Sequence, residues 1–134
     1  MGKHQNLLKS LRLSDRVVIH GIVPNVDQYL DKADLFVLPS RAEQSGSLAL
    51  LEAMRAGIAC IASACDGIPE DVNHLFDAWL TTPGDHQSLA TGILGLLGDP
   101  LLREKIARRG RQTFERRFSA NAFSESLDGI YRDV

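Results

Sequence analysis

A chain of 134 residues with 44% hydrophobic and 24% charged side chains has the make-up of one soluble globular domain. At that length it can bury about 68% of the surface its unfolded form exposes. A formal net charge of −2 argues against a general nucleic-acid binder, and no run of 18 apolar residues is present to span a bilayer.

The opening residues, "MGKHQNLLKSLRLSDR", lack the long apolar centre of a secretory signal. "NLLKSL" (6–11) reads as a short helix, and "RVVIHG" (16–21) as a β-rich run closed by glycine. "VDQYLDKA" (26–33) has helical spacing, with Val26, Tyr29, Leu30 and Ala33 on one face. "DLFVLPS" (34–40) is a continuous apolar strand of the kind that a parallel sheet buries on both sides. A loop and a helix follow over 43–57, then a strand in "IACIAS" (58–63) and a turn-rich "CDGIPEDV" (65–72). "DAWLTTPGD" (77–85) reads as a short strand leaving into a loop. From residue 86 the pattern turns helical, with Pro100 opening a second helix and Ser119 placed to cap the last. Cys60 and Cys65 read as free, reduced thiols of a cytosolic protein, since no neighbouring spacing suggests zinc.

Strands alternating with helices, ending in a helical tail, indicate an α/β Rossmann-like domain with a parallel sheet of about four strands. Sheets of this kind more often hold five or six, so the chain reads as one that begins partway through a domain. There is no internal repeat and no low-complexity linker.

The stretch "EQSGSLALLEAMRAG" (43–57) carries the chemistry. Open α/β sheets bind ligands beyond the carboxyl ends of their strands, and Glu43 falls there, just after strand 34–40. Gly46 lets backbone approach a ligand closely, Ser47 is placed to cap the helix 48–56, and Gly57 stops it. The start of that helix favours a phosphate. Glu52 lies about 7.5 Å further along the axis, at ~1.5 Å per residue, and shares a face with Ala49, Ala53 and Ala56. An ionised carboxylate only accepts hydrogen bonds, which suits the two donors of a ribose diol. Glu43 would then take hydroxyls of a second sugar, giving sugar, phosphate and ribose in a row. Spacing alone leaves equally open that both glutamates are solvated surface acids around an ordinary helix cap.

The segments "ADLFVLPSRAE" (33–43), "LLEAMRAG" (50–57) and "DGIPEDV" (66–72), with Gly21 and the ending "FERRFSANAFSESLDGIY", resemble the donor-binding C-terminal lobe of group 1 (family 4) retaining glycosyltransferases with two Rossmann lobes, the GT-B fold. The resemblance runs from about Leu13 to Tyr131. It implies a nucleotide-diphosphate sugar as donor, no cofactor or metal, and retaining transfer of a hexose to an acceptor hydroxyl in glycan or glycolipid biosynthesis. It implies that Glu52 binds the ribose, and that Glu43, with the backbone of Gln44, Ser45, Gly46, Ser47 and Leu48, contacts the transferred sugar. Asp66 and Gly67 would border the donor. The family's E-x7-E motif has seven residues between its glutamates; here eight residues separate Glu43 from Glu52, and Gln44 is the alternative occupant of the acid's place. Relative to the family, the chain begins after two strands that carry a glycine-rich turn and a basic phosphate clamp. It also lacks the acceptor-binding N-terminal lobe, so it reads as a partial donor domain, inactive by itself.

Weaker signals have blander readings. Arg41 is more readily a surface arginine than a phosphate ligand, and His20 a core-edge histidine than a catalytic one. Residues 103–117 hold seven Arg or Lys against two Glu. Peripheral contact with the inner face of a membrane would use them, although a solvated helix face is the commoner explanation. The competing functional class is a non-catalytic, transferase-like module that self-associates through a sheet edge at 16–21. A dinucleotide-binding redox domain is disfavoured, because no G-x-G-x-x-G follows a strand.

Overall fold

A computed structural model describes residues 2–42 and 47–133. Three strands, β1 (Leu35–Leu38), β2 (Ala59–Ser63) and β3 (Trp79–Thr81), pair in parallel in the order β1-β2-β3. They are the three expected apolar runs, and their alternation builds two cores. Phe36, Leu38, Cys60, Ala62 and Leu80 pack to one side, against Leu50, Ala53 and Met54 of helix α3 (Leu48–Ala56). Leu35, Val37, Ala59, Ile61 and Trp79 pack to the other, against α5 (His86–Gly98) and α6 (Pro100–Arg117). The side chains of Leu50, Met54, Ile61, Leu96 and Ile106 are fully buried, each stabilising the fold by about 1.5–3 kcal/mol before entropy is counted.

The boundaries of α3 are those the sequence dictates. Ser47 caps it, its hydroxyl accepting from the Leu50 amide at 3.4 Å, and Gly57 ends it in the left-handed conformation at φ 73°. The α5 helix is capped by Asp85, α6 by Asp99 ahead of Pro100, and the last helix, α7 (Ala120–Arg132), by Ser119. Two short helices, α2 (Asp27–Leu30) and α4 (Ile68–Asp71), occupy single turns. The first helix, α1 (Gly2–Ser10), buries no residue.

Residues 16–21 differ from expectation. They form no strand, so three strands stand among the described residues where about four were expected. Val18 is 74% exposed. A β-prone run holds a strand only when a ladder and a packing face are present, and β1 pairs with β2 alone among the described residues. His20 accordingly ends no strand; it sits exposed, its ring 4.7 Å from that of Tyr29. Of the face expected over 26–33, only Leu30 is buried.

Packing explains two of the glycines of α5, Gly92 and Gly95. The indole of Trp79 lies across the helix at Gly92 and Gly95, where a Cβ would meet ring atoms at 2.8 and 2.9 Å.

Candidate functional site

Register decides what gathers at the carboxyl end of the sheet. Leu38 pairs with Ala62 and Ser63 with Thr81, so Pro39, Ser63 and Thr81 fall in one row where the strands end. Beyond that row the chain turns into α3, into α4 and into α5. The Cys65 thiol lies 3.7 Å from the Ser40 carbonyl, holding the loop after β1 against the turn after β2. This junction brings the start of α3 and the Asp66–Gly67 turn to the same end of the sheet, as expected for both.

Ser47, at the head of α3, is buried, while Leu48 after it is exposed. The first amides of a helix have no intrahelical acceptor, so this start carries partial positive charge at the carboxyl end of the sheet. Glu52 is half-buried one turn further on. Among the described residues, no hydrogen bond or ion pair engages its carboxylate. Asp66 adopts φ 47°, a left-handed backbone, and Gly67 leads into α4 with Pro69 in its first turn. Glu43, Gln44, Ser45 and Gly46 lie outside the described residues. Among the described residues, no cluster of three His, Cys, Asp or Glu side chains could hold a metal.

Several of the remaining candidates have structural work. In the basic stretch of α6, Arg103 donates to the carbonyls of Leu96 and Leu97 at the end of α5. Arg117 donates to those of Asp71 and Glu70 at the end of α4. Arg109 stacks on Phe76, and Arg111 pairs with Glu115. His74 accepts from the Leu80 amide at 3.0 Å. No helix among the described residues is long and apolar enough to cross a membrane.

Sequence reasoning missed the hydroxyls of Ser63 and Thr81, which line a cleft at the strand ends together with Arg41. The available signal was a polar residue closing each apolar strand, in "IAS" and in "WLT".

Residues 2–113 match the family model described as "Glycosyl transferases group 1". The chain is 35% identical over 128 residues to N-acetyl-alpha-D-glucosaminyl L-malate synthase of Bacillus anthracis, covering 96% of this chain and 33% of that enzyme. It is 35% identical over 131 residues to the lipopolysaccharide core biosynthesis glycosyltransferase LpsD of Rhizobium meliloti, covering 97% and 38%. The structure of HepE from Anabaena in complex with UDP-glucose superposes with a TM-score of 0.89 at 25% identity, covering 99% of this chain and 36% of that one. The chain therefore spans about a third of the length of these relatives. With a parallel sheet flanked by helices and structural neighbours of the GT-B type, the chain belongs to the group 1 glycosyl transferases.

Proposed function

We propose that this chain is the donor-binding part of a retaining hexosyltransferase that takes a nucleotide-diphosphate sugar. The observation that carries the reading is Glu52: a half-buried carboxylate with no protein partner among the described residues, one turn inside a helix that starts at the strand ends. The relative HepE, whose structure was determined with UDP-glucose, supports a nucleotide-sugar as the ligand class.

In this reading the ribose hydroxyls donate to the Glu52 carboxylate, and a phosphate lies at the start of α3, near Ser47 and Leu48. Asp66 and Gly67 border the donor on the side of β2. Glu43 contacts the transferred sugar with the backbone of Gln44, Ser45 and Gly46. Its charge supports the oxocarbenium-like transition state as the sugar leaves the diphosphate for an acceptor hydroxyl. The leaving diphosphate is met by helix dipole and basic side chains, so no metal enters the scheme. The 134 residues form a single partial Rossmann-like domain, and a glycan or lipid-linked acceptor is held by a lobe outside it. Synthesis from a cytoplasmic nucleotide-sugar, at the inner face of a membrane, fits the basic residues of α6 whose side chains make no hydrogen bond or ion pair among the described residues, such as Lys105 and Arg108.

Calorimetric titration with UDP, GDP and ADP tests the reading. One nucleotide should bind, and Glu52→Ala should weaken it at least about tenfold, the loss of one hydrogen bond to a charged group. A folded chain that binds none of the three rejects the reading.

A second reading, a non-catalytic module that self-associates, is favoured by the edge of β1 that pairs with no strand among the described residues, and by the exposure of Val18 and Ile22. It requires a dimer in size-exclusion chromatography; a monomer at all concentrations rejects it.

A further inference from the structure

A cleft of about 170 Å3 opens beyond the strand ends, against the first turn of α5. Sites for drug-sized ligands run from about 300 to 1,000 Å3, so this one has room for a single ring and not for a nucleotide. Pro39 and Leu89 give it apolar wall.

Its polar groups are incompletely used by the protein. Ser63 is 2% exposed, yet its hydroxyl makes no hydrogen bond among the described residues. This hydroxyl is not sealed off from solvent, and the cleft is the opening it lines. Thr81 Oγ1 donates to the Ala62 carbonyl at 3.4 Å and keeps its lone pairs for an incoming donor. Asp85 spends Oδ1 on the amides of Gln87 and Ser88, at 2.9 and 3.1 Å, while Oδ2 has no partner among the described residues. Across the opening, Arg41 has neither ion pair nor hydrogen bond among the described residues. Its Nε lies 3.8 Å from where a Cβ would stand on Gly84, so the side chain lies over that turn.

The balance of these groups selects the ligand. A free anion would satisfy Arg41 but meet the Asp85 carboxylate, and a free cation would meet the reverse conflict. A neutral, polyhydroxylated ring answers both: its hydroxyls accept from Arg41 and donate to Asp85 and Thr81. Its C–H face meanwhile covers Leu89 and Pro39. We propose that the cleft formed by Arg41, Ser63, Thr81, Asp85 and Leu89 is a binding subsite for one sugar ring, separate from the nucleotide positions at Ser47 and Glu52. The choice of a sugar among polyols rests on the sugar-transfer reading above; the geometry of the cleft does not.

The test is a titration of the 15N-labelled 134-residue chain, followed by amide NMR, with D-glucose, N-acetyl-D-glucosamine and sodium phosphate as separate probes. At least one sugar should shift the Ser63, Thr82 and Gly84 amides saturably in the millimolar range, with phosphate leaving them unmoved. Arg41→Ala, at an exposed position that keeps the fold, and Ser63→Ala should each weaken that binding about tenfold. The proposal is overturned by silence of these amides toward both sugars, by a response to phosphate alone, or by sugar shifts that both variants leave intact. A parallel UDP, GDP and ADP titration, read at the amides of Leu48, Ala49 and Glu52, separates the two claims. Nucleotide binding with a silent cleft removes only the subsite, whereas sugar binding without nucleotide binding removes only the donor reading.

Discussion

The buried carboxylate of Asp77 accepts a hydrogen bond of 2.8 Å from the hydroxyl of Thr113, a residue 36 positions further along the chain. Its other oxygen accepts from the Asn73 amide, so one side chain closes the turn before β3 and anchors that turn to α6. Thr113→Val keeps the shape of the side chain and removes the donor. It should cost about 2 kcal/mol, because a buried carboxylate oxygen is then left unpaired, whereas Thr113→Ser should cost less than about 1 kcal/mol. Urea denaturation of the two variants checks the order.

Ser47 caps α3 over a long bond of 3.4 Å. Ser47→Ala should therefore fall at the low end of cap losses, about 0.5 kcal/mol, where a short cap bond would give twice that or more. A loss above about 2 kcal/mol in the same denaturation experiment would show that the hydroxyl has a second structural task.

Two glycines in helices should respond in opposite directions. Gly92→Ala drives a methyl group to 2.8 Å from the Trp79 indole, and overpacking of this kind costs about 1–3 kcal/mol. Gly129→Ala, inside α7 with open space around the new methyl, should instead stabilise by up to about 1 kcal/mol through helix propensity. Thermal melts of both variants against the parent chain decide it, and Trp79, the single tryptophan, should shift its emission only in the first.

The thiol of Cys60 is pushed up from 9.0 to about 12, first by burial and then by the charge of Asp77. The folded chain therefore holds this proton at a pH where the unfolded chain has released it. Stability from this source is whole below about pH 9 and falls by roughly 1 kcal/mol per pH unit as the pH rises toward 12. Tyrosines and lysines titrate in the same range, so the informative quantity is the difference in slope between the parent and Cys60→Ala. Equal slopes would contradict the burial argument.

What could be read from the sequence was what neighbouring residues decide among themselves. Ser47 and Gly57 bracket α3 as written, Ser119 caps α7, and the apolar runs at 35–38 and 59–63 are strands because both faces are covered. The order of strand, turn and helix likewise sends the start of α3 and the Asp66–Gly67 turn to the carboxyl end of the sheet. What escaped depends on distant partners. The Val-Val-Ile run at 17–19 carries β-propensity, but a strand there needs a neighbour that propensity cannot supply. Asp77 sits in "FDAWL" with no local pattern, and its partner lies on α6. Ser63 and Thr81 become neighbours only through the parallel register of β2 and β3. Glu43 and Gln44, the alternatives for the first acid of the motif, lie outside the described residues.

Helix α6 reaches the end of α5 through Arg103, the turn before β3 through Thr113, and the end of α4 through Arg117. The helix after it, α7, buries no residue. Tolerance to shortening is therefore abrupt. A chain cut back to residue 118 retains all three tethers and should fold, while one ending at 112 loses the latter two and frees both the β3 turn and the α4 turn that follows β2. The carboxyl end of the sheet is thus secured by a part of the chain that contributes none of the residues proposed to bind the donor.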